Sequence, residues 1–198
     1  ANIDEKRKPA DAFCIVNRFH TIDQILMRML KESNNLYAEA MYYQIAASTG
    51  NHPASARSAR AVERRLVDKI GLDASRYKFA DGSGLSLYNY VSAELEVKML
   101  RYAYKNENIR PQLMPALPIA GIDGTLKKRM KGSFTRDNVK AKTGTLTGIS
   151  SLAGYCQAAN GHMLCFAIIN QGVMHGRNGR AFQDRVCTIL CAPNLFIM

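Results

Sequence analysis

The chain has 198 residues, of which 47% are hydrophobic and 22% charged, the composition of a folded domain and not of a disordered, collagenous or coiled-coil chain. A chain of this length forms one large domain or two small ones and buries roughly 70% of its extended surface. Its longest apolar run, Met163 to Ile169, falls far short of a membrane helix, and 27 Lys+Arg against 16 Asp+Glu leave a net charge of +11 that favours a polyanionic partner.

The first ~19 residues carry charge and Pro9 without a clear period, and read as an incoming connection. The start at Ala1 and not Met reads as a processed product or a piece of something longer. Thr21-Ile-Asp-Gln24 is a capping box. Ile22, Ile25, Leu26, Met29 and Leu30 then form a helical apolar stripe, which Leu36, Tyr37, Ala40, Met41 and Ile45 resume. The polar interruption at residues 31–35 predicts two helices joined by a turn, with Ser33 and Asn35 at a helix entrance. Residues 48–53 read as a loop and Ala54 to Ile70 as a basic helix stopped at Gly71. Tyr77 to Ala80 suggests a short strand running into the turn Asp81-Gly-Ser-Gly84, and Ser92 caps a helix to about Lys105. Residues 110–124, with three prolines, are expected to be mostly loop.

The C-terminal third reads as strands over 139–145, 148–159 and 162–171, then a helix from Asn178 to about Leu190. Asn160-Gly161 is a strong hairpin signal. A two-residue turn there sets Cys156 across from Cys165 and Gly154 across from Ala167, with both sheet faces apolar and covered by helices. Cys187 and Cys191 read as small apolar residues on one helix face. The odd count of five cysteines argues against a disulfide scaffold.

Basic residues lie in scattered groups (residues 6–8, 57–65 and 127–131) without an RNA-binding aromatic motif or zinc-finger spacing, so no nucleic-acid partner is expected. No phosphate loop, dinucleotide fingerprint or metal-spaced set among His20, His52, His162 and His175 is present, and no cofactor is expected.

Three features carry chemistry together: Ser33-Asn-Asn35 at a helix junction, Asp81-Gly-Ser-Gly-Leu-Ser86, and Lys142-Thr-Gly-Thr145 ending a strand. In this order they resemble the active-site serine penicillin-recognising enzymes, whose signature set is Ser-x-x-Lys, Ser-x-Asn and Lys-Thr-Gly. The strings Leu30 to Glu39, Ala80 to Ser86, Leu117 to Leu126 and Lys140 to Leu146, continuing through Leu152-Ala-Gly154, resemble more specifically the class C low-molecular-mass penicillin-binding proteins, the D-alanyl-D-alanine carboxypeptidase/endopeptidases. The resemblance covers about His20 to Gln183.

The resemblance implies an α+β, β-lactamase/transpeptidase-like fold, an antiparallel sheet flanked by helices on both faces, with residues 20–198 as its C-terminal portion. It implies acyl-enzyme chemistry on peptidoglycan stem peptides ending in D-Ala-D-Ala, with β-lactams as inhibitors, in the periplasm or cell envelope. Lys142, Thr143 and Thr145 would meet the terminal carboxylate, and Gly144 would let substrate approach the strand. The Thr145 amide would form half of the oxyanion hole, Ser33 would relay a proton to the leaving amine, and Asn35 would hold the substrate amide carbonyl.

The one Ser-x-x-Lys match, Ser75-Arg-Tyr-Lys78, lies in a short extended segment after the Ser-x-Asn element, and is rejected as the nucleophile because Lys must lie one helical turn from Ser. The expectation is therefore a part of a carboxypeptidase that is inactive alone and pairs with an N-terminal part of the same protein. The strand over 162–171 is expected to leave an unpaired edge open to self-association. Two readings of other classes are a nucleophile-less module of this fold that binds cell-wall peptide, and a basic polyanion-binding adaptor indifferent to loss of Lys142 and Ser33. A class A β-lactamase is a weaker enzymatic rival, lacking an equivalent of a deacylating Glu loop.

Overall fold

Side-chain caps set most of the helix starts in the computed structural model, which describes residues 13–50 and 53–193. Helix α1 (Ile22–Leu26) begins with the reciprocal bonds of the capping box: Thr21 Oγ1 accepts the Gln24 amide and Gln24 Oε1 accepts the Thr21 amide. It widens into a π-turn over Met27–Lys31, and α2 (Asn35–Ala47) follows, capped by Asn34, whose Oδ1 accepts the Tyr37 amide. Ser55 caps α3 (Ala56–Lys69) and Ser92 caps α4 (Ala93–Lys105), where Glu94 and Glu96 occupy the positive first turn.

Two local expectations are corrected. Residues 110–124 contain a helix, α5 (Arg110–Ala116). Pro111 falls in the first turn, where no amide donor is needed, so only Pro115 removes a helical bond. The segment over 77–80 is not a strand but a single bridge, Lys78 to Tyr90, with paired N–H to O distances of 3.0 and 2.8 Å. The expected connection over 1–19 and the loop over 48–53 lie partly outside the described residues; residues 13–20 form no helix or strand.

Strands β1 (Lys140–Leu146), β2 (Ile149–Gln157) and β3 (Met163–Gln171) form an antiparallel meander in the order β1-β2-β3, so β3 is an edge among the described residues. The β2–β3 register differs from the expected one by a single residue. Tyr155 pairs with Cys165, Cys156 with Leu164, and Gly154 with Phe166. The hairpin closes through three residues, Ala159-Asn160-Gly161, with Ala158 and His162 joined outside them and Gly161 at φ +85°. That is a turn followed by a left-handed residue, the usual three-residue loop, and it moves every β3 side chain to the face opposite the one expected.

The consequence is a division of labour between the faces. Leu152, Cys156, Phe166 and, on β1, Ala141 face α6 (Gly176–Cys191), burying Cys187, Cys191, Leu126 and Val139 with them. Each fully buried Leu there contributes about 2 kcal/mol. Tyr155 and Cys165 face α4 instead, where the Tyr155 hydroxyl donates to Leu100 O at 2.7 Å and Cys165 Sγ contacts Val97 O. Helices therefore cover both faces, as the apolar pattern predicted. A buried polar network locks α6 to the sheet. Gln183 Nε2 donates to Ser150 Oγ (3.0 Å) and Asn170 Oδ1 (3.1 Å), while its Oε1 accepts from Arg129, which also pairs with Asp184 at 2.7 Å. Ser150 lies across from Thr145, so the network holds the end of the β1–β2 pair.

Candidate active site

The turn between the π-segment and α2 places Ser33 in a left-handed conformation, φ 54°, unusual for a residue with a side chain. Because Asn34 caps α2, the Ser33 hydroxyl is available elsewhere, and it accepts a 2.8 Å hydrogen bond from Lys142 Nζ on β1. A second anchor fixes the same turn: Lys31 Nζ donates to Asp123 Oδ2 at 2.5 Å and to Leu117 O at 2.9 Å. The run over 117–126 thus joins the Ser33 turn to the strand. Thr125 completes the join, its Oγ1 accepting from Thr143 at 3.0 Å.

Lys142 is partly buried, and that desolvation lowers its pKa below the usual lysine value. A lysine eased toward its neutral form beside a hydroxyl is suited to passing a proton through Ser33. A Cβ at Gly144 would meet Ser151 Oγ at 2.3 Å, so a side chain there would require the Ser151 hydroxyl to turn away.

These groups line a cavity of about 750 Å³, together with Asn35 and Thr145. All six residues singled out in the sequence, Ser33, Asn35, Lys142, Thr143, Gly144 and Thr145, therefore meet at one concavity. The 81–89 loop forms another part of its wall. Asp81 accepts from the amides of Gly84 and Ser86, both at 2.7 Å, and from Asn89 Nδ2 at 3.0 Å, and Glu39 of α2 accepts the Ser83 amide at 2.8 Å. Ser75 stands apart, in a 3₁₀ turn over Ala74–Arg76, with Lys78 beyond it in extended backbone. Ser75 thus lies in a 3₁₀ turn and not in the extended segment expected, and Lys78 falls outside that turn.

Sequence reasoning missed three contributors. Thr125 stands in the Leu117 to Leu126 string, but no role was drawn for it. Glu63 and Glu96 also line the cavity. Glu63 Oε2 is buried without a hydrogen-bond partner, and burial raises the carboxyl to about 7 against the opposing pull of Arg60. Glu96 is raised by burial as well. Glu63 was legible in principle: it lies four residues from each of the buried Ala59 and Val67, a carboxylate on an apolar stripe.

Comparison with known proteins gives concordant matches. A family model described as the D-Ala-D-Ala carboxypeptidase 3 (S13) family matches residues 4–191. The D-alanyl-D-alanine carboxypeptidase DacB of Haemophilus influenzae is 33% identical over 157 residues, 78% of this chain and 33% of the relative. The D-alanyl-D-alanine carboxypeptidase of Actinomadura sp. strain R39 is 35% identical over 174 residues, 85% of this chain and 32% of the relative. The chain thus spans about a third of the length of these curated relatives. Among solved structures, penicillin binding protein 4 (dacB) from Haemophilus influenzae, complexed with a β-lactam, superposes with a TM-score of 0.75 at 30% identity, covering 85% of this chain and 41% of that one. The TLA-3 extended-spectrum β-lactamase, at 16% identity and a TM-score of 0.62, covers 85% of this chain and 62% of that one and shares the fold.

Proposed function

Because the chain belongs to the D-Ala-D-Ala carboxypeptidase 3 (S13) family, we propose that it supplies the carboxylate-binding and proton-relay half of a serine-type D-alanyl-D-alanine carboxypeptidase acting on peptidoglycan stem peptides. The observation that carries this reading is the 2.8 Å bond from Lys142 Nζ to Ser33 Oγ, made across 109 positions of sequence on the wall of one cavity.

In the proposed reaction a serine from a Ser-x-x-Lys segment attacks the carbonyl of the penultimate D-Ala. The terminal carboxylate sits against Lys142, with Thr145 beside it at the strand end. The Thr145 amide and the nucleophile's own amide stabilise the oxyanion. Lys142 and Ser33 deliver a proton to the departing D-Ala amine, and Asn35 holds the peptide carbonyl. Water then releases the acyl group by the same relay. The serine nucleophile comes from a partner segment, the N-terminal part of the same protein, and the chain alone is inactive. The reading places the protein in the cell envelope, where its substrate lies; among the described residues no helix is long and apolar enough to cross a membrane.

Covalent labelling with a fluorescent penicillin tests this, on the 198-residue chain and on a form extended upstream to include a Ser-x-x-Lys segment. Labelling only of the extended form, lost in Lys142→Ala and Ser33→Ala, is the expected result. Labelling of the 198-residue chain makes Ser75 a nucleophile. Labelling of neither overturns the enzymatic reading in favour of a peptide-binding module.

A further inference from the structure

The 81–89 loop carries a string that stands out in the sequence, yet none of its side chains has a part in the proton relay or the carboxylate contacts proposed above. It is built as a braced piece. Asp81 accepts from the amides of Gly84 and Ser86 and from Asn89 Nδ2, while Asn89 Oδ1 accepts the Ala80 amide at 2.7 Å and Asn89 Nδ2 also donates to Ser86 O at 3.1 Å. These bonds fix the shape of the loop and not its place in the molecule.

Its place is set by α2. Gly82 lies so close to that helix that a Cβ there would stand 2.5 Å from Tyr42 Cβ and 2.8 Å from Ala38 O. Beside this contact Glu39 Oε1 accepts the Ser83 amide at 2.8 Å, across 44 positions of sequence, and among the described residues this is the only hydrogen bond between the loop and α2. A carboxylate accepting a backbone amide makes a charge-assisted bond, stronger than a neutral one. Glu39 follows Asn35 by four residues, so both stand on one face of α2. Gly82, Ser83, Ser86 and Asn89 line the cavity that holds Ser33 and Lys142, whereas Glu39 does not, so Glu39 reaches the site only through the loop it holds.

We propose that Glu39 is a positioning residue: by clamping Ser83 to the helix that carries Asn35, it fixes the loop relative to the rest of the cavity wall and so sets how tightly a peptide substrate is held. This rests on the functional reading above. Glu39 makes no hydrogen bond to Ser33 or Lys142, and the Ser33 turn is held independently by Asn34 and by the Lys31–Asp123 pair. Loss of the clamp therefore acts on substrate binding and leaves the relay in place.

The test compares Glu39→Ala and Glu39→Gln with the parent. In the 198-residue chain, amide hydrogen exchange read by NMR follows the clamp itself. In Glu39→Ala the Ser83 amide exchanges about tenfold faster while Gly84 and Ser86, still held by Asp81, keep their parent rates. Glu39→Gln retains a carbonyl acceptor and stays within about threefold of the parent. In the form extended to include a Ser-x-x-Lys segment, hydrolysis of an N-acylated peptide ending in D-Ala-D-Ala follows the consequence. There KM rises about tenfold in Glu39→Ala with kcat within about twofold, and Glu39→Gln restores most of the loss. A Ser83 amide that exchanges at the parent rate in Glu39→Ala overturns the clamp, and an unchanged KM, or a loss carried by kcat, overturns the positioning role. An extended parent that neither takes penicillin nor hydrolyses the peptide overturns the functional reading instead, and the exchange rates then still decide the clamp.

Discussion

The two sides of the cavity that holds Ser33 and Lys142 are built differently. On the sheet side, ten buried residues form one continuous core between the strands and α6, and Gln183, Ser150, Asn170, Arg129 and Asp184 satisfy one another's hydrogen bonds. On the helical side, α2, α3 and α4 enclose only two small clusters, one centred on Val67, Tyr77 and Leu95 and one on Tyr42, Ala46 and Ala59, and the Glu63 carboxyl is left without a partner on one oxygen. Lys142 stands on the first side and Ser33 on the second, so their hydrogen bond spans a rigid wall and a less satisfied one. Geometry at Lys142 is set by the sheet, whereas the position of Ser33 depends on a strained turn held by Asn34 and the Lys31–Asp123 pair.

The sharpest way to break the rigid side is Gly154→Ala. A Cβ at that position would stand 2.2 Å from Lys140 O and 2.5 Å from Ala141 Cα, and both obstacles are backbone, so β1 must part from β2. Loss of about 4 kcal/mol or more is expected, enough to unfold a chain of ordinary stability. A chemical denaturation curve checks this. A variant as stable as the parent would show that β1 is not held against β2 in solution.

A smaller loss on the same side follows from Gln183→Leu. The side chain is fully buried, and its removal leaves Ser150 and Asn170 without their donor and Arg129 without one acceptor. The cost of such unsatisfied groups is about 2–3 kcal/mol. A urea midpoint measured beside that of the parent checks this. An unchanged midpoint in the Leu variant would mean that the network adds nothing to the rigidity of the sheet side.

How much of this contrast the sequence disclosed depends on the range of the interaction. Caps at Thr21 and Ser92 and the convergence of the Ser33 and Lys142 motifs were legible because local chemistry or a multi-part pattern marks them. The hairpin register was not, because Asn160-Gly161 serves a two-residue and a three-residue loop alike, and the choice reverses a whole strand. Helix α5 was hidden because proline reads as a breaker wherever it stands, while Pro111 occupies a turn that tolerates it. Thr125 acquires its role only when distant elements meet around the cavity, whereas Glu63 showed as a carboxylate on an apolar helix stripe without showing what it faces.

Glu63 offers the mildest probe, and it addresses the helical side alone. Its ordinary pKa of 4.5 is raised to about 7 by burial, so the folded chain holds this proton more tightly than the unfolded one. That contribution to stability is fully present below pH 4.5 and is lost as pH rises through about 7. The whole shift corresponds to at most about 3 kcal/mol, and because Glu63 is only partly buried solvent screening reduces the expected loss to about 1–2 kcal/mol. Glu63→Gln abolishes the term, since a neutral amide has no proton to lose. The difference in urea midpoint between parent and variant should therefore move in favour of the variant as pH is raised from 4.5 to 8. A difference independent of pH would place the Glu63 carboxyl in contact with water or a cation, and the helical wall would then be as well satisfied as the sheet wall opposite it.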